Sequence, residues 1–125
     1  MDFLDNLFNT ISMEEAENGF VAKLQCNPSH LVYQVHFPGT PITPGVCLIQ
    51  LAGELLERRL NRRLWLKTVK NVKFLSAVIP AEGKVVSYAF SNLEENETEC
   101  KVQAVVSDET VVYVKMSLVF SYGRV

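Results

Sequence analysis

Residues 36–45 constrain this chain more than any other segment. They read His36-Phe37-Pro38-Gly39-Thr40-Pro41-Ile42-Thr43-Pro44-Gly45, with three prolines and two glycines in ten positions. Each proline fixes φ, removes an N–H and pushes the residue before it out of the helical region. Such a segment is neither a helix interior nor a central strand. It is a stiff, specific loop, and it delivers the chain into residues 46–60, a long stretch with no proline and few β-branched residues.

That stretch predicts the one long helix. Leu48, Leu51, Ala52, Leu55 and Leu56 recur at three- and four-residue steps, as do Ile49, Gly53, Leu56 and Leu60. An apolar arc this broad belongs to a helix wrapped on most sides. Residues 57–63 are nearly all charged and must emerge into solvent. After them the pattern changes to period two. Strands are expected over residues 64–72, 85–90, 98–106 and 110–120, with turns at 80–83, 92–96 and 107–109. An earlier strand is expected over residues 20–26. Phe3, Leu4, Leu7 and Phe8 have helical spacing and suggest a short N-terminal helix, followed by a polar, irregular stretch to Asn18. A sheet of five or six antiparallel strands with one apolar face needs a cover, and the helix is the available one. The expected fold is therefore α+β, a single domain over residues 1–125. Its curved antiparallel sheet wraps around one long central helix in a hot-dog architecture.

Composition narrows the function. With 48% hydrophobic residues the chain is no disordered tail, and no apolar run approaches the about 20 residues that span a bilayer. The first ten residues lack the basic region of a secretory signal, so a cytoplasmic protein without membrane insertion is expected. Formal charge is −2, which disfavours general nucleic-acid binding. Cys26, Cys47 and Cys100 are odd in number and widely spaced; they read as buried free thiols, with no metal site and no disulfide framework. Seven of the twelve basic residues fall within residues 58–73, among them Arg58, Arg59, Arg62 and Arg63. Two readings stand for them: a solvated helix end placed well for the dipole, or a docking patch for an acidic partner or a phosphate.

The start of the long helix is the place for chemistry. Its first N–H groups lack helical partners and favour an anion or developing oxyanion. Gly45 lets a ligand approach closely. His36, with an unperturbed pKa of about 6.5, suits a general base. Gln50 and Glu54 are four residues apart and so share a helix face. Each has a structural alternative: His36 as a packed imidazole, Gln50 as a loop tie, Glu54 as a half-exposed helix residue. Cys47 has no base assigned to it as a nucleophile. Zinc-protease, phosphate-loop and serine-hydrolase motifs are absent from the sequence.

The run from His36 to Val46 resembles the signature loop of the (3R)-hydroxyacyl-[acyl-carrier-protein] dehydratases, the FabZ/FabA-like hot-dog proteins. The stretch Val72-Lys73-Phe74-Leu75-Ser76-Ala77-Val78-Ile79-Pro80 looks like that family's strand and turn after the helix, and the resemblance covers roughly residues 21–120. It implies His36 as catalytic base and the Gly45 N–H as donor to the thioester carbonyl. It also implies an acid fourteen positions beyond the histidine, contributed by the partner subunit. Here that position is Gln50, and an amide does not protonate a departing hydroxyl. Glu54 stands where many members have glutamine, as if acid and amide were exchanged one turn apart. It is the candidate replacement acid. Val35 replaces a usual glycine. Phe37, Val46 and Leu48 are expected to line the acyl site, and Arg58, Arg59, Arg62 and Arg63 to receive an acyl carrier protein.

The resemblance implies no cofactor. It implies an acyl carrier protein or CoA thioester as ligand, and a homodimer, a higher even oligomer or a heterodimer with an active homologue. Three activities follow: dehydration of 3-hydroxyacyl thioesters to trans-2-enoyl thioesters, a catalytically reduced thioester-binding subunit, or a thioester hydrolase.

Overall fold

The computed structural model describes residues 2–35 and 39–123. Six strands and two helices follow in the order β1 (Phe8–Ala16), β2 (Gly19–Cys26), α1 (Val32–Val35), α2 (Gly45–Leu60), β3 (Trp65–Phe74), β4 (Val85–Glu95), β5 (Glu99–Ser107) and β6 (Val112–Ser121). The strands form one sheet in the order β1-β2-β4-β5-β6-β3, and every pairing is antiparallel. This is the α+β hot-dog fold expected from the sequence.

Alternation sets the inner face. Phe20, Ala22 and Leu24 of β2, Val86, Tyr88 and Phe90 of β4, Val102 and Ala104 of β5, and Met116, Leu118 and Phe120 of β6 are all buried. Against them lie Leu48, Leu51, Ala52, Leu55 and Leu56 of α2, in the same core. Burying each of these leucines stabilises the fold by roughly 1.5–3 kcal/mol. The rings of Phe20 and Phe90 stack at 4.3 Å between neighbouring strands. Helix α2 stops where Asn61 turns left-handed (φ 55°) and returns its N–H to the Glu57 carbonyl.

The N-terminal helix does not form. Asp5 is left-handed (φ 68°) and its N–H bonds the Phe8 carbonyl at 2.7 Å, so residues 3–8 make a compact turn. Leu4, Leu7 and Phe8 are still buried, because a turn sends these positions inward as well as a helix would. The polar stretch after it is the edge strand β1. A register shift between Thr10 and Ser12 breaks its alternation, which explains why period two is not visible there. β4 also runs past its expected end. Asn92 (φ 51°) sits at an irregularity between Ser91 and Glu94, and the turn comes at Asn96, whose Oδ1 accepts the Thr98 and Glu99 N–H groups.

Candidate thioester site at the helix mouth

Helix α2 begins at Gly45 after Pro44, whose φ of −59° and ψ of 140° are extended; no described side chain caps it. The approach is pinned one residue earlier. Thr43 is buried, its N–H bonds the Val78 carbonyl at 2.8 Å, and its hydroxyl meets the Tyr33 hydroxyl at 2.8 Å. Tyr33 also touches the Cys26 sulfur at 3.5 Å, and burial pushes its phenol well above the ordinary range. Pro41 and Pro44, the Tyr33–Thr43 bond and the strap to Val78 together aim the open helix end.

Gly45 faces Phe74. A Cβ built on Gly45 would lie 2.6 Å from the exposed Phe74 ring, so any larger residue here would push that ring aside and reshape the helix mouth. A cleft of about 340 Å³ opens here, walled by Ile42, Leu48, Phe74, Leu75 and Val78 beside Gly45. Leu48 is buried and its carbonyl accepts the Tyr88 hydroxyl at 2.8 Å. Burial raises the Cys47 thiol, the opposite of what a nucleophile needs. The arrangement offers an apolar slot beside the Gly45 and Val46 N–H groups, which have no partner among the described residues, and this suits an acyl chain with its carbonyl oxygen at the helix end.

The other expected residues are distributed around α2. His36 and Phe37 lie outside the described residues. Val46 points outward, 72% exposed, and lines a second cleft of about 430 Å³ with Ile49, Gln50, Trp65 and Leu66. Gln50 is exposed there and donates its amide Nε2 to Glu54 Oε2 at 3.0 Å. Glu54 is 8% exposed; its carboxylate also accepts the Phe3 N–H at 2.8 and 3.0 Å and the Leu4 N–H at 2.9 Å. Three donors make these four contacts, the Phe3 N–H being shared between the two oxygens, so each carboxylate oxygen accepts at least two. Glu54 stands as the anchor of the N-terminal segment, and acting as an acid would require these contacts to open. Residues 46–60 alone carry no signal for that anchoring, since its donors are backbone groups about fifty positions away.

The four arginines are exposed but engaged. Arg58 pairs with Asp5 at 2.8 Å, and Arg59 makes a two-point pair with Glu15. Arg62 lies 3.4 Å over the Tyr122 ring, and Arg63 lies 5.7 Å from the Trp65 ring. All three cysteines are free and buried. Among the described residues, no helix is long and apolar enough to cross a membrane.

The sequence profile of the ApeI-like family, described as ApeI dehydratase, matches residues 12–115, most of the chain. The chain belongs to the ApeI-like dehydratase family. Relatives of this ApeI-like chain include the 3-hydroxyacyl-[acyl-carrier-protein] dehydratase FabZ of Thermotoga neapolitana, 31% identical over 90% of this chain and 83% of that protein. FabZ of Lactobacillus helveticus is 22% identical over 95% and 88%. Among solved structures, the dehydratase heterocomplex ApeI:P from Xenorhabdus doucetiae superposes with a TM-score of 0.72 at 18% identity, covering 91% of this chain and 97% of that one. A hypothetical thioesterase with coenzyme A from Streptococcus pneumoniae gives 0.65 at 14%, covering 92% and 86%. At such identities the structural likeness speaks for the ApeI-like chain's fold alone.

Proposed function

We propose that this chain is an acyl-thioester-binding subunit of a dehydratase complex, one that holds the substrate but takes its catalytic acid from a partner. The supporting observation is the pair Gln50–Glu54: an amide at the position of the family's acid, beside a carboxylate whose oxygens are already occupied. The ligand is a 3-hydroxyacyl thioester of an acyl carrier protein or CoA, its tail in the slot beside Leu48 and Phe74 and its carbonyl oxygen at the Gly45 N–H. His36 removes the C2 proton, the electron pair passes to the carbonyl oxygen, and its return forms the C2–C3 double bond. The C3 hydroxyl leaves as water with a proton from an acid. Gln50 has none to give, so a homologous subunit supplies it. The resemblance of the solved ApeI:P heterocomplex to this fold favours such pairing.

Turnover of 3-hydroxyacyl-carrier-protein substrates tests this. The chain alone binds the thioester without forming enoyl product. Gln50→Glu raises dehydration by about 10²-fold or more, the usual contribution of a placed general acid. Rapid dehydration by the unaltered chain, abolished in Glu54→Gln, would instead establish Glu54 as the acid and overturn the proposal. Release of free fatty acid would identify a hydrolase.

A further inference from the structure

A circuit of hydrogen bonds runs around the helix mouth, and its far side holds a polar cluster that the chemistry above does not use. The Cys26 N–H bonds the Lys84 carbonyl at 2.8 Å, and the Cys26 sulfur touches the Tyr33 hydroxyl. Tyr33 meets Thr43, whose N–H reaches the Val78 carbonyl. Just before Val78, the Leu75 and Ser76 N–H groups both bond the Tyr113 carbonyl, at 2.8 and 3.2 Å. The Lys84 ammonium donates to the Tyr113 hydroxyl and closes the circuit. Thr43, Leu75, Ser76 and Val78 of this circuit line the slot beside Gly45.

Closure depends on a knot of three side chains. The Tyr113 hydroxyl accepts from Lys84 and donates to the Asp108 carboxylate, and Lys84 lies 3.4 Å from Asp108. Tyr113 is buried, while Lys84 and Asp108 are half-buried beside an outer cleft of about 590 Å³. Burial and then the bond to Asp108 raise the Tyr113 phenol, and the bond to Tyr113 raises the Lys84 ammonium. The knot at neutral pH is therefore a neutral phenol between an ammonium and a carboxylate.

The strand ladders do not place Tyr113. Between β5 and β6, Val106 faces Val114 and Ser107 faces Val112, so Tyr113 is the extra residue of a register shift. The β3–β6 ladder ends with Phe74 opposite Val114. A residue inserted in this way is left out of the pairing, and its strand bends there. The side-chain knot fixes what the ladders leave free. Leu75 and Ser76 lie beyond the end of β3 and are exposed, so packing does little to place them and the Tyr113 carbonyl does more.

We propose that Tyr113 and Lys84 are positioning residues for the acyl slot: knotted with Asp108, they hold the Tyr113 carbonyl where it sets the Leu75–Ser76 wall, and that wall selects acyl length. Their effect passes through main-chain bonds and needs no contact with the thioester. This rests on the thioester-binding reading above and names what tunes the same site.

Calorimetric binding of 3-hydroxyacyl-CoA thioesters with short, medium and long chains tests it, on Tyr113→Phe, Lys84→Met, Lys84→Arg and the unaltered chain. Melting curves by circular dichroism first establish which variants fold; Lys84, at the surface, carries the test if Tyr113→Phe does not. Tyr113→Phe and Lys84→Met narrow the affinity ratio between best and worst chain length by about tenfold, the low end for one methylene in an apolar pocket. Amide exchange at Leu75 and Ser76 quickens in both. Lys84→Arg keeps a donor to the phenol and restores the preference. Lys23→Met, which removes a charge from the same outer cleft without touching the knot, leaves the preference unchanged. An unaltered length preference in Tyr113→Phe and Lys84→Met, or an equal loss of affinity at every length, would overturn the proposal. Failure of the unaltered chain to bind any of these thioesters would instead overturn the slot reading on which it rests.

Discussion

Glu54 shows how far one side chain's role depends on what reaches it. From its spacing it is a helix residue one turn beyond Gln50, and chemistry alone permits it to be an acid. In the fold it accepts two backbone N–H groups of the N-terminal turn and the Gln50 amide. Removing the charge while keeping the shape separates these roles. Glu54→Gln puts an amide NH₂ among N–H donors, and stability falls by about 1.5–3 kcal/mol, the range for hydrogen bonds to a charged group. Urea unfolding measures the loss, and amide exchange at Phe3 and Leu4 quickens. Unchanged stability would mean that the carboxylate anchors nothing. Gln50 differs in kind. Its identity is fixed by sequence, and no packing makes an amide into an acid.

Elements were legible where burial repeats cleanly. The period-two segments of β2, β5 and β6 and the broad apolar arc of α2 announce themselves because each meets the core along its whole length. The N-terminal turn and β1 were not legible. Residues 3–8 satisfy a helical pattern while making a turn, and β1 carries a register shift at the sheet edge. Turns held by side chains are more readable. Asp108 accepts the Thr110 and Val111 N–H groups at 2.9 and 2.8 Å and holds the β5–β6 hairpin. The Tyr113 hydroxyl, then these two N–H groups, keep its carboxyl well below the usual carboxylate range. Because the folded pKa is depressed, this contribution is complete above the unfolded value of about 3.9 and is lost as pH falls through it toward the folded value. Amide exchange at Thr110 and Val111 therefore quickens as pH drops below about 4, once corrected for the intrinsic rate. In Asp108→Asn that acid-dependent step is absent; a step of unchanged size would show that another group controls the hairpin.

For the molecule as a whole, the exposed apolar surface beside β3 and the outer side of α2 matters most. Val46, 72% exposed in the first turn of α2, separates assembly from folding. Val46→Asp adds an acid where the helix dipole favours one, so melting of the isolated chain changes by no more than about 0.5 kcal/mol. Complex formation with a partner is lost, as light scattering after size-exclusion chromatography would report. Retained assembly would move the interface elsewhere. The sequence by itself determined the stiff loop, the long helix behind it, the antiparallel strands and the amide at position 50, because proline geometry, side-chain period and functional-group chemistry are local properties. Only the tertiary structure decided that Glu54 anchors the residues around Phe3 and Leu4 and that the arginines at the end of α2 are already engaged. Each of those depends on contacts between segments far apart in sequence, and local patterns do not encode which distant group arrives.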